Sequence, residues 1–325
     1  MESYNNTSSI SFSAQLYIIS TRGQIYSREL ATLHSLHRAL VTSPTPLPNI
    51  EFTFISDDKN APHASWSYAR RADERVVWLL PDYGFWSWPE PKVGSYTEVQ
   101  RKARETEESG DGDAQTDDGG GYTWARKHAQ LLWRGAIMQL PLREEFIAKT
   151  AGKPWADVKA IEWHDEGSMR ADLVPMHAHC RYRFLAHTEG NSYSGRLKYL
   201  QNCRSVVVAH AMDWIQHQYP LLRKDGPGQN YVEVRRDFAD LEETMLALGA
   251  DGRKAERIAE NSVRTFRNRY VTPAAEACYW RSLIRGWGSV SFEPEFWTVK
   301  DGKRVWRGVP WESYALERRL EWDPY

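Results

Sequence analysis

Residues 181–210 read RYRFLAHTEGNSYSGRLKYLQNCRSVVVAH, and their pattern indicates the fold class. Arg181 to Ala186 has the pattern of a strand, Leu197 to Asn202 that of a short amphipathic helix, and Arg204 to His210 that of a continuous β-branched strand. A strand, a helix and a second strand form a βαβ unit. This unit predicts a parallel sheet covered by helices.

Strand and helix patterns alternate over most of the remaining chain. Leu16 to Ser20 and Ile50 to Ser56 read as strands on either side of a helical pattern. With 325 residues, the chain is long enough for two domains. We therefore expect an α/β protein with an N-terminal lobe at residues 1–128, a Rossmann-like lobe at 129–287, and a tail at 288–325 that packs back on the first lobe.

The segment 105–121, ETEESGDGDAQTDDGGG, is acidic, rich in glycine and almost without apolar side chains. Such a segment cannot bury enough apolar surface to offset the entropy lost on ordering. It is therefore predicted to be a disordered insertion in the first lobe.

Composition and charge narrow the range of partners. The formal net charge is −1, whereas a protein that grips a polyanionic backbone usually carries a large positive excess, so nucleic acid is not an expected partner. No apolar run reaches the roughly 18 to 20 residues that a transmembrane helix needs. The first residues, MESYNNTSS, lack the basic and apolar regions of a signal peptide.

The loop that follows the first strand of the βαβ unit carries the chemistry of a ligand site. In parallel sheets, ligands bind where a strand ends and a helix begins. Gly190 and Gly195 permit close approach of the backbone, Ser192 and Ser194 offer hydroxyl groups, and Arg196 offers a planar cation suited to a diphosphate. The alternative is an ordinary tight turn followed by an exposed arginine.

The run from His179 to Cys203 closely resembles the signature of glycosyltransferase family 90, the group of capsule-associated proteins and protein O-glucosyltransferases. Three other segments support the resemblance. Leu132–Gly135 (LWRG) is similar to the family's aromatic-Arg-Gly element, Trp78–Glu90 to the aromatic loop of its fungal members, and Cys278–Trp280 to its C-terminal helix. The four motifs occur in the family's order and spread over residues 52–287.

The resemblance implies a GT-B-like fold, with two Rossmann-like lobes and a cleft between them. It also implies transfer of glucose or xylose from UDP-glucose or UDP-xylose to a hydroxyl of a glycan or protein acceptor, with inversion and without a metal or another cofactor. Arg134 and Arg196 would hold the pyrophosphate in place of a divalent cation. The residues expected to bind the donor are Arg134, Gly135, Thr188, Glu189, Gly190, Ser192, Ser194, Gly195 and Arg196.

Inversion requires one base that removes the proton of the acceptor hydroxyl. The resemblance assigns this role to Asp58, with Asp57 one residue away, at the end of the strand IEFTFIS. This sequence departs from the family's pattern here, because Lys59 and Asn60 stand where relatives commonly have an aromatic residue and a proline. Two alternatives therefore remain open: an Asp-Asp pair that only turns the chain, and a catalytically inactive relative that binds nucleotide or glycan.

Several other side chains have both a functional and a structural interpretation. Glu233 is either a ribose ligand or an exposed residue at a strand end. Trp86 and Trp88 either form a platform for a sugar or wedge the lobes together. A metal is not expected at the cluster of polar residues His164, Asp165, His177 and His179, because nothing in their spacing indicates convergent ligands.

Cys180 begins a strand and Cys203 ends the helix that follows, so both lie at the same edge of the βαβ unit and a disulfide is feasible. Such a bridge indicates an oxidising compartment, and the resemblance implies the lumen of the ER or Golgi. The alternative is a pair of buried free thiols in a cytosolic protein. A missing or lost N-terminal targeting segment would reconcile the lumen with the observed start of the chain.

Overall fold

The computed structural model describes residues 7–12, 15–21, 25–58, 65–90, 92–109, 120–162, 167 and 172–320. The chain forms two compact units. The N-terminal unit comprises Met1–Ser87, Ile215–His217 and Pro273–Tyr325, and the parallel-sheet unit comprises Trp88–Trp214 and Gln218–Thr272. The predicted boundaries at 128 and 287 differ from these, because residues 88–128 belong to the parallel-sheet unit and residues 273–287 to the N-terminal unit.

The α-helices are α1 (Ser27–Val41), α2 (Tyr96–Glu108), α3 (Pro141–Thr150), α4 (Leu197–Leu200), α5 (Leu241–Ala250), α6 (Gly252–Thr265), α7 (Pro273–Gly288) and α8 (Trp311–Glu317). Short 3-10 helices span Tyr83–Phe85, Met176–Arg181 and Tyr219–Leu221, and a π-helical turn spans Phe266–Tyr270.

The N-terminal unit contains a mixed six-stranded sheet in the order β17-β2-β1-β3-β4-β6. Its strands are β1 (Thr7–Phe12), β2 (Leu16–Thr21), β3 (Glu51–Ile55), β4 (Ser65–Ser67), β6 (Val77–Leu79) and β17 (Val309–Pro310). The C-terminal segment reaches this sheet, where Val309 pairs with Ile18 of β2.

The remaining short strands form two-stranded sheets. They are β5 (Arg70–Arg71) with β13 (Trp214–Ile215), and β7 (Ser87–Trp88) with β8 (Gly94–Ser95). The hairpin near the C-terminus consists of β15 (Trp297–Lys300) and β16 (Lys303–Trp306).

Aromatic side chains fill the core of the N-terminal unit. The rings of Phe52 and Trp66 stack with centroids 3.7 Å apart, and Trp287 meets Trp66 edge to face at 5.8 Å. Trp280 of α7 is fully buried and lies 6.3 Å from Trp66. Many of the chain's tryptophans therefore stabilise this core through apolar burial and ring packing.

The parallel-sheet unit confirms the predicted α/β class. Its five strands are all parallel, in the order β10-β9-β11-β12-β14. They are β9 (His128–Gly135), β10 (Ala156–Ala160), β11 (Tyr182–His187), β12 (Val206–His210) and β14 (Val232–Val234). Apolar clusters cover both faces of the sheet, which explains why β12 is apolar at every position from Val206 to Ala209 rather than at alternate ones.

The prediction of a disordered segment at 105–121 is wrong for its first residues. Residues 105–108 form the last turn of α2, and Glu107 is buried against Lys127 and Arg267. Two cations from distant parts of the chain stabilise this carboxylate, which composition alone cannot reveal. Residues 110–119 lie outside the described residues.

Candidate functional site

The five parallel strands have their carboxyl ends at one edge of the sheet. Most of the predicted donor-binding residues lie at this edge, either at the end of a strand or in the loop that follows it. β9 ends at Gly135, β11 at His187 and β12 at His210. The loop 188–196 follows β11, the central strand of the sheet. Loops at this edge are where parallel sheets bind ligands.

Arg196 is a cation that has no counter-ion among the described residues. Its guanidinium lies 5.6 Å from the centroid of the Trp133 indole, and no described residue accepts a hydrogen bond from it or forms an ion pair with it. Burial and the nearby positive charge of Arg143 lower the pKa of Arg196 to about 9. A partly buried cation in this state gains free energy when an anion pairs with it.

Arg143 is a second cation at this edge, and its side chain is buried, a position that the sequence pattern did not indicate. From α3, its Nε donates to the carbonyl of Glu189 at 3.0 Å and its Nη1 donates to the carbonyl of Ala136 at 2.6 Å. No carboxylate in the described part of the chain forms an ion pair with Arg143, and burial lowers its pKa to about 10. Its guanidinium lies 5.9 Å from the centroid of the Trp133 ring, so Arg143 and Arg196 both contact this indole.

Arg134 lies at the same edge, but the protein already engages most of its donors. Nε donates to the carbonyl of Asp172 at 2.8 Å, and Nη1 donates to the carbonyls of Trp133 and Asp157 at 2.9 and 2.7 Å. Nη2 forms an ion pair with the Asp157 carboxylate at 2.7 Å. A guanidinium has five N–H donors, so one of them remains for a ligand. The predicted pyrophosphate contact of Arg134 therefore has less support than that of Arg196.

The glycines of the site leave room for its cations and rings. A Cβ added to Gly135 would lie 3.1 Å from Nη2 of Arg196, and one added to Gly190 would lie 3.3 Å from Nη2 of Arg143. A Cβ added to Gly195 would lie 2.8 Å from the ring of Trp88. A Cβ at Gly135 or Gly195 would force a tryptophan ring to move, since the nearest ring atoms would lie 2.9 and 2.8 Å away, whereas at Gly190 the contact would be tight but longer. None of the three glycines has a positive φ.

Thr188 and Glu189 organise the loop after β11. Thr188 Oγ1 accepts a hydrogen bond from Trp133 Nε1 at 3.1 Å. The buried Glu189 carboxylate accepts from the Trp214 amide and from Arg236 Nη1, each at 2.8 Å. Burial raises the pKa of Glu189, and Arg236 opposes this shift. The carboxylate predicted to bind the donor thus already has two partners within the protein.

The remaining predicted donor residues occupy the same loop and β14, the edge strand beyond β12. Ser192 is buried and Ser194 is half-buried. The Ser192 carbonyl accepts from the Gly190 amide at 3.1 Å, which closes a tight turn. Glu233 lies on β14, and its carboxylate accepts hydrogen bonds from Lys224 and Tyr231 at 2.9 and 3.0 Å.

A cavity of about 60 Å³ opens beside Arg196. It has room for a few water molecules or for a chemical group of similar size. Its walls include Trp88, Glu90, Gly135, Met176, His179 and Arg196. The structure therefore brings one predicted platform residue, Trp88, together with predicted donor residues.

Trp86 does not line this cavity and belongs to the N-terminal unit. Its ring stacks on His34 at 5.2 Å, and the guanidinium of Arg38 lies 5.1 Å from its centroid. Both partners are on α1. Trp86 therefore packs against this helix and keeps 36% of its surface exposed.

The candidate base residues follow β3 in the N-terminal unit. Asp58 forms an ion pair with Arg28 at 2.9 Å. Burial, together with the negative charge of Glu29, raises the pKa of Asp57. Asp57 thus holds a proton more readily than an ordinary aspartate. Lys59 and Asn60, where the pattern departs from the family, lie outside the described residues.

No group of three or more His, Cys, Asp or Glu side chains with the placement of a metal site occurs among the described residues. His164 and Asp165 lie outside that part of the chain. Likewise, none of the described helices is long and apolar enough to cross a membrane.

The structure contains the disulfide between Cys180 and Cys203, with Cα atoms 4.8 Å apart. Both cysteines are buried, whereas Cys278 is free and exposed. The bridge joins the 3-10 helix Met176–Arg181, which precedes β11, to the chain just after α4. The loop that carries Arg196 is therefore closed covalently at its base.

Comparison with known proteins identifies the family. The model of glycosyl transferase family 90 matches residues 7–298, which is most of the chain. The chain therefore belongs to glycosyltransferase family 90.

Curated relatives match only part of the chain. Human protein O-glucosyltransferase 1 is 26% identical over 171 residues, which cover 50% of this chain and 42% of the human protein. O-glucosyltransferase LpsA of Dichelobacter nodosus is 28% identical over 162 residues, covering 49% and 48% respectively. The O-glucosyltransferase rumi homolog of Anopheles gambiae is 33% identical over 119 residues, covering 36% and 29%. The matched region spans less than half the length of each relative.

Proposed function

We propose that this chain is a glycosyltransferase that moves glucose or xylose from a UDP-sugar to a hydroxyl of a glycan or protein, with inversion and without a metal. Family membership supports transfer of a sugar, and the relatives named as O-glucosyltransferases support a hydroxyl acceptor. A GT-B-like fold remains part of the proposal, supported by the parallel five-stranded sheet of one unit.

The observation that carries the proposal is the pair of guanidinium groups at Arg143 and Arg196. Both contact Trp133, both have depressed pKa values, and neither has a carboxylate partner in the described chain. A diphosphate would supply the missing negative charge. The two cations would then stabilise the charge that develops on the leaving UDP, which is the task of a divalent cation in other transferases.

The catalytic base is proposed to be Asp58 or its neighbour Asp57. A base works best when its pKa lies close to the working pH, so the raised pKa of Asp57 favours this residue, whereas Asp58 is held by Arg28. The oxidising compartment implied by the Cys180–Cys203 bridge supports a place in the secretory pathway.

Titration with UDP in the presence of EDTA tests the diphosphate site. Arg196→Ala should weaken UDP binding by about 10- to 100-fold, because it removes charge-assisted hydrogen bonds. Arg253→Ala is the control, since Arg253 is exposed on α6 and lies outside the site. Equal UDP affinity for the Arg196 variant and the parent would refute the diphosphate assignment, and a need for Mg²⁺ would refute metal independence.

Measuring the turnover of UDP-glucose and UDP-xylose tests which aspartate is the catalytic base. Asp57→Asn and Asp58→Asn should both keep UDP affinity, and the variant of the true base should lose transfer and hydrolysis. A parent protein that binds UDP but turns over no UDP-sugar would instead support the alternative of an inactive binding module. The ion pair between Asp58 and Arg28 favours that alternative, because it occupies the carboxylate expected to act as base.

A further inference from the structure

His179 lies in the 3-10 helix Met176–Arg181 and forms part of the cavity wall beside Arg196. The side chain is buried, and its Nδ1 lies 3.1 Å from the carbonyl oxygen of Pro175. A carbonyl oxygen only accepts, so Nδ1 carries the proton in this contact. In the neutral ring, Nε2 is then left as a lone-pair acceptor.

The imidazole stays neutral in the physiological range. Burial and the positive charge of Arg196 lower the pKa of His179 to about 3. No hydrogen bond to Nε2 comes from the described residues. The cavity therefore combines a guanidinium, which attracts an anion, with a neutral nitrogen that can only accept a hydrogen bond.

These two groups select different parts of one ligand. The oxygens of a diphosphate only accept hydrogen bonds, so they pair with Arg196 and not with Nε2 of His179. A hydroxyl group can donate to Nε2. Met176 and the ring of Trp88 add apolar surface to the cavity, which has room for one substituent of a sugar rather than for the whole ring.

We infer that His179 accepts a hydrogen bond from a hydroxyl of the donor sugar and so helps to select which sugar is transferred. This inference rests on the proposed function, because it assumes a sugar attached to the diphosphate that Arg196 binds. His179 would act through ground-state and transition-state contacts with the sugar and not as an acid or base.

Two substitutions separate the nitrogens of the ring. His179→Asn keeps an N–H near the position of Nδ1 and removes the acceptor at Nε2. His179→Gln places an amide oxygen near the position of Nε2. The asparagine variant should bind UDP-glucose about 10-fold more weakly than the parent and UDP alone equally well, and the glutamine variant should recover part of the loss.

UDP-sugars that each lack one hydroxyl identify the contact. One deoxy sugar should bind the parent about 10-fold more weakly than the intact sugar and should bind His179→Asn without a further loss. His177→Asn is the control, because His177 does not line the cavity. Thermal unfolding without ligand reports whether each variant is folded.

Each result has a distinct meaning. Equal loss of affinity for UDP and UDP-glucose in His179→Asn would overturn the inference, because Nε2 would then contact the nucleotide. Parent-like affinity of this variant for all UDP-sugars would overturn it as well. A parent protein that binds no UDP-sugar would refute the proposed function itself, which is a separate outcome.

Discussion

Glu107 ties three distant parts of the parallel-sheet unit together. Its Oε1 accepts from Lys127 Nζ and from the Arg204 amide, each at 2.6 Å, and its Oε2 accepts from Arg267 Nη1. Lys127 also donates to Ser205 at 3.1 Å. All three charged side chains are buried. The carboxylate therefore neutralises two cations that are largely shielded from water.

We predict that Glu107→Ala lowers the free energy of unfolding of this unit by about 3 to 5 kcal/mol. This is the loss expected when one partner of a buried ion pair is removed and the opposite charge remains. Against a typical total of about 5 to 15 kcal/mol, the loss is large. Urea denaturation followed by circular dichroism measures it.

The exposed Glu98 on the same helix provides the matched control. It pairs with Arg101 on the surface, where ion pairs contribute little, so Glu98→Ala should unfold close to the parent midpoint. Adding Lys127→Met to Glu107→Ala should recover part of the stability, since one uncompensated cation is then absent. Equal midpoints for the Glu107 and Glu98 variants would refute the reasoning.

The pH dependence of stability gives a further check on Glu107. Burial alone would raise its pKa, but Lys127 and Arg267 outweigh burial and hold the pKa below the ordinary value. The unfolded chain therefore binds this proton more readily than the folded one. The stabilisation is fully present above the ordinary pKa of 4.5 and is lost as the pH falls through the folded value.

Three more substitutions test other features. Gly195→Ala should lower the free energy of unfolding by about 1 to 3 kcal/mol, because its Cβ would lie 2.8 Å from the Trp88 ring, and urea denaturation checks this. Cys203→Ser should remove about 3 kcal/mol, as expected for a bridge over 23 residues, and the reductant should then have no further effect on the midpoint. Burial raises the pKa of Glu276 to about 7, so the folded protein binds a proton that the unfolded chain releases near pH 4.5. Stability should therefore fall from pH 5 to pH 7, and Glu276→Gln should flatten that slope; a parent curve that rises over this interval would contradict the assignment.

The sequence predicts the parallel five-stranded sheet well, because the apolar pattern of its strands matches their burial in the structure. The continuous apolar run at β12 matches a strand that is covered on both faces, and the short helix α4 lies within the predicted Leu197–Asn202. The predicted close approach of the backbone to a ligand at Gly190 and Gly195 stays a prediction; in the structure these glycines lie close to Arg143 and Trp88.

Features that depend on distant partners could not be predicted in this way. Arg134 and Arg196 look equivalent in the sequence, yet Asp157 and three carbonyl groups engage Arg134, whereas the described chain leaves Arg196 unpaired. Arg143 sits in a helical pattern rich in charge, so only its burial reveals its place at the strand edge. The same limit applies to the acidic segment, where the tertiary partners of Glu107 overrule its local composition.

The Cys180–Cys203 bridge also has a mechanical consequence. If the chain is pulled from its two ends, tension passes through the sulfur atoms and bypasses the residues between them. A separation of 23 residues corresponds to roughly 80 Å of contour length that stays hidden until the bond is reduced. In a single-molecule stretching trace, the segment that carries Arg196 would remain slack while the rest of the polypeptide extends.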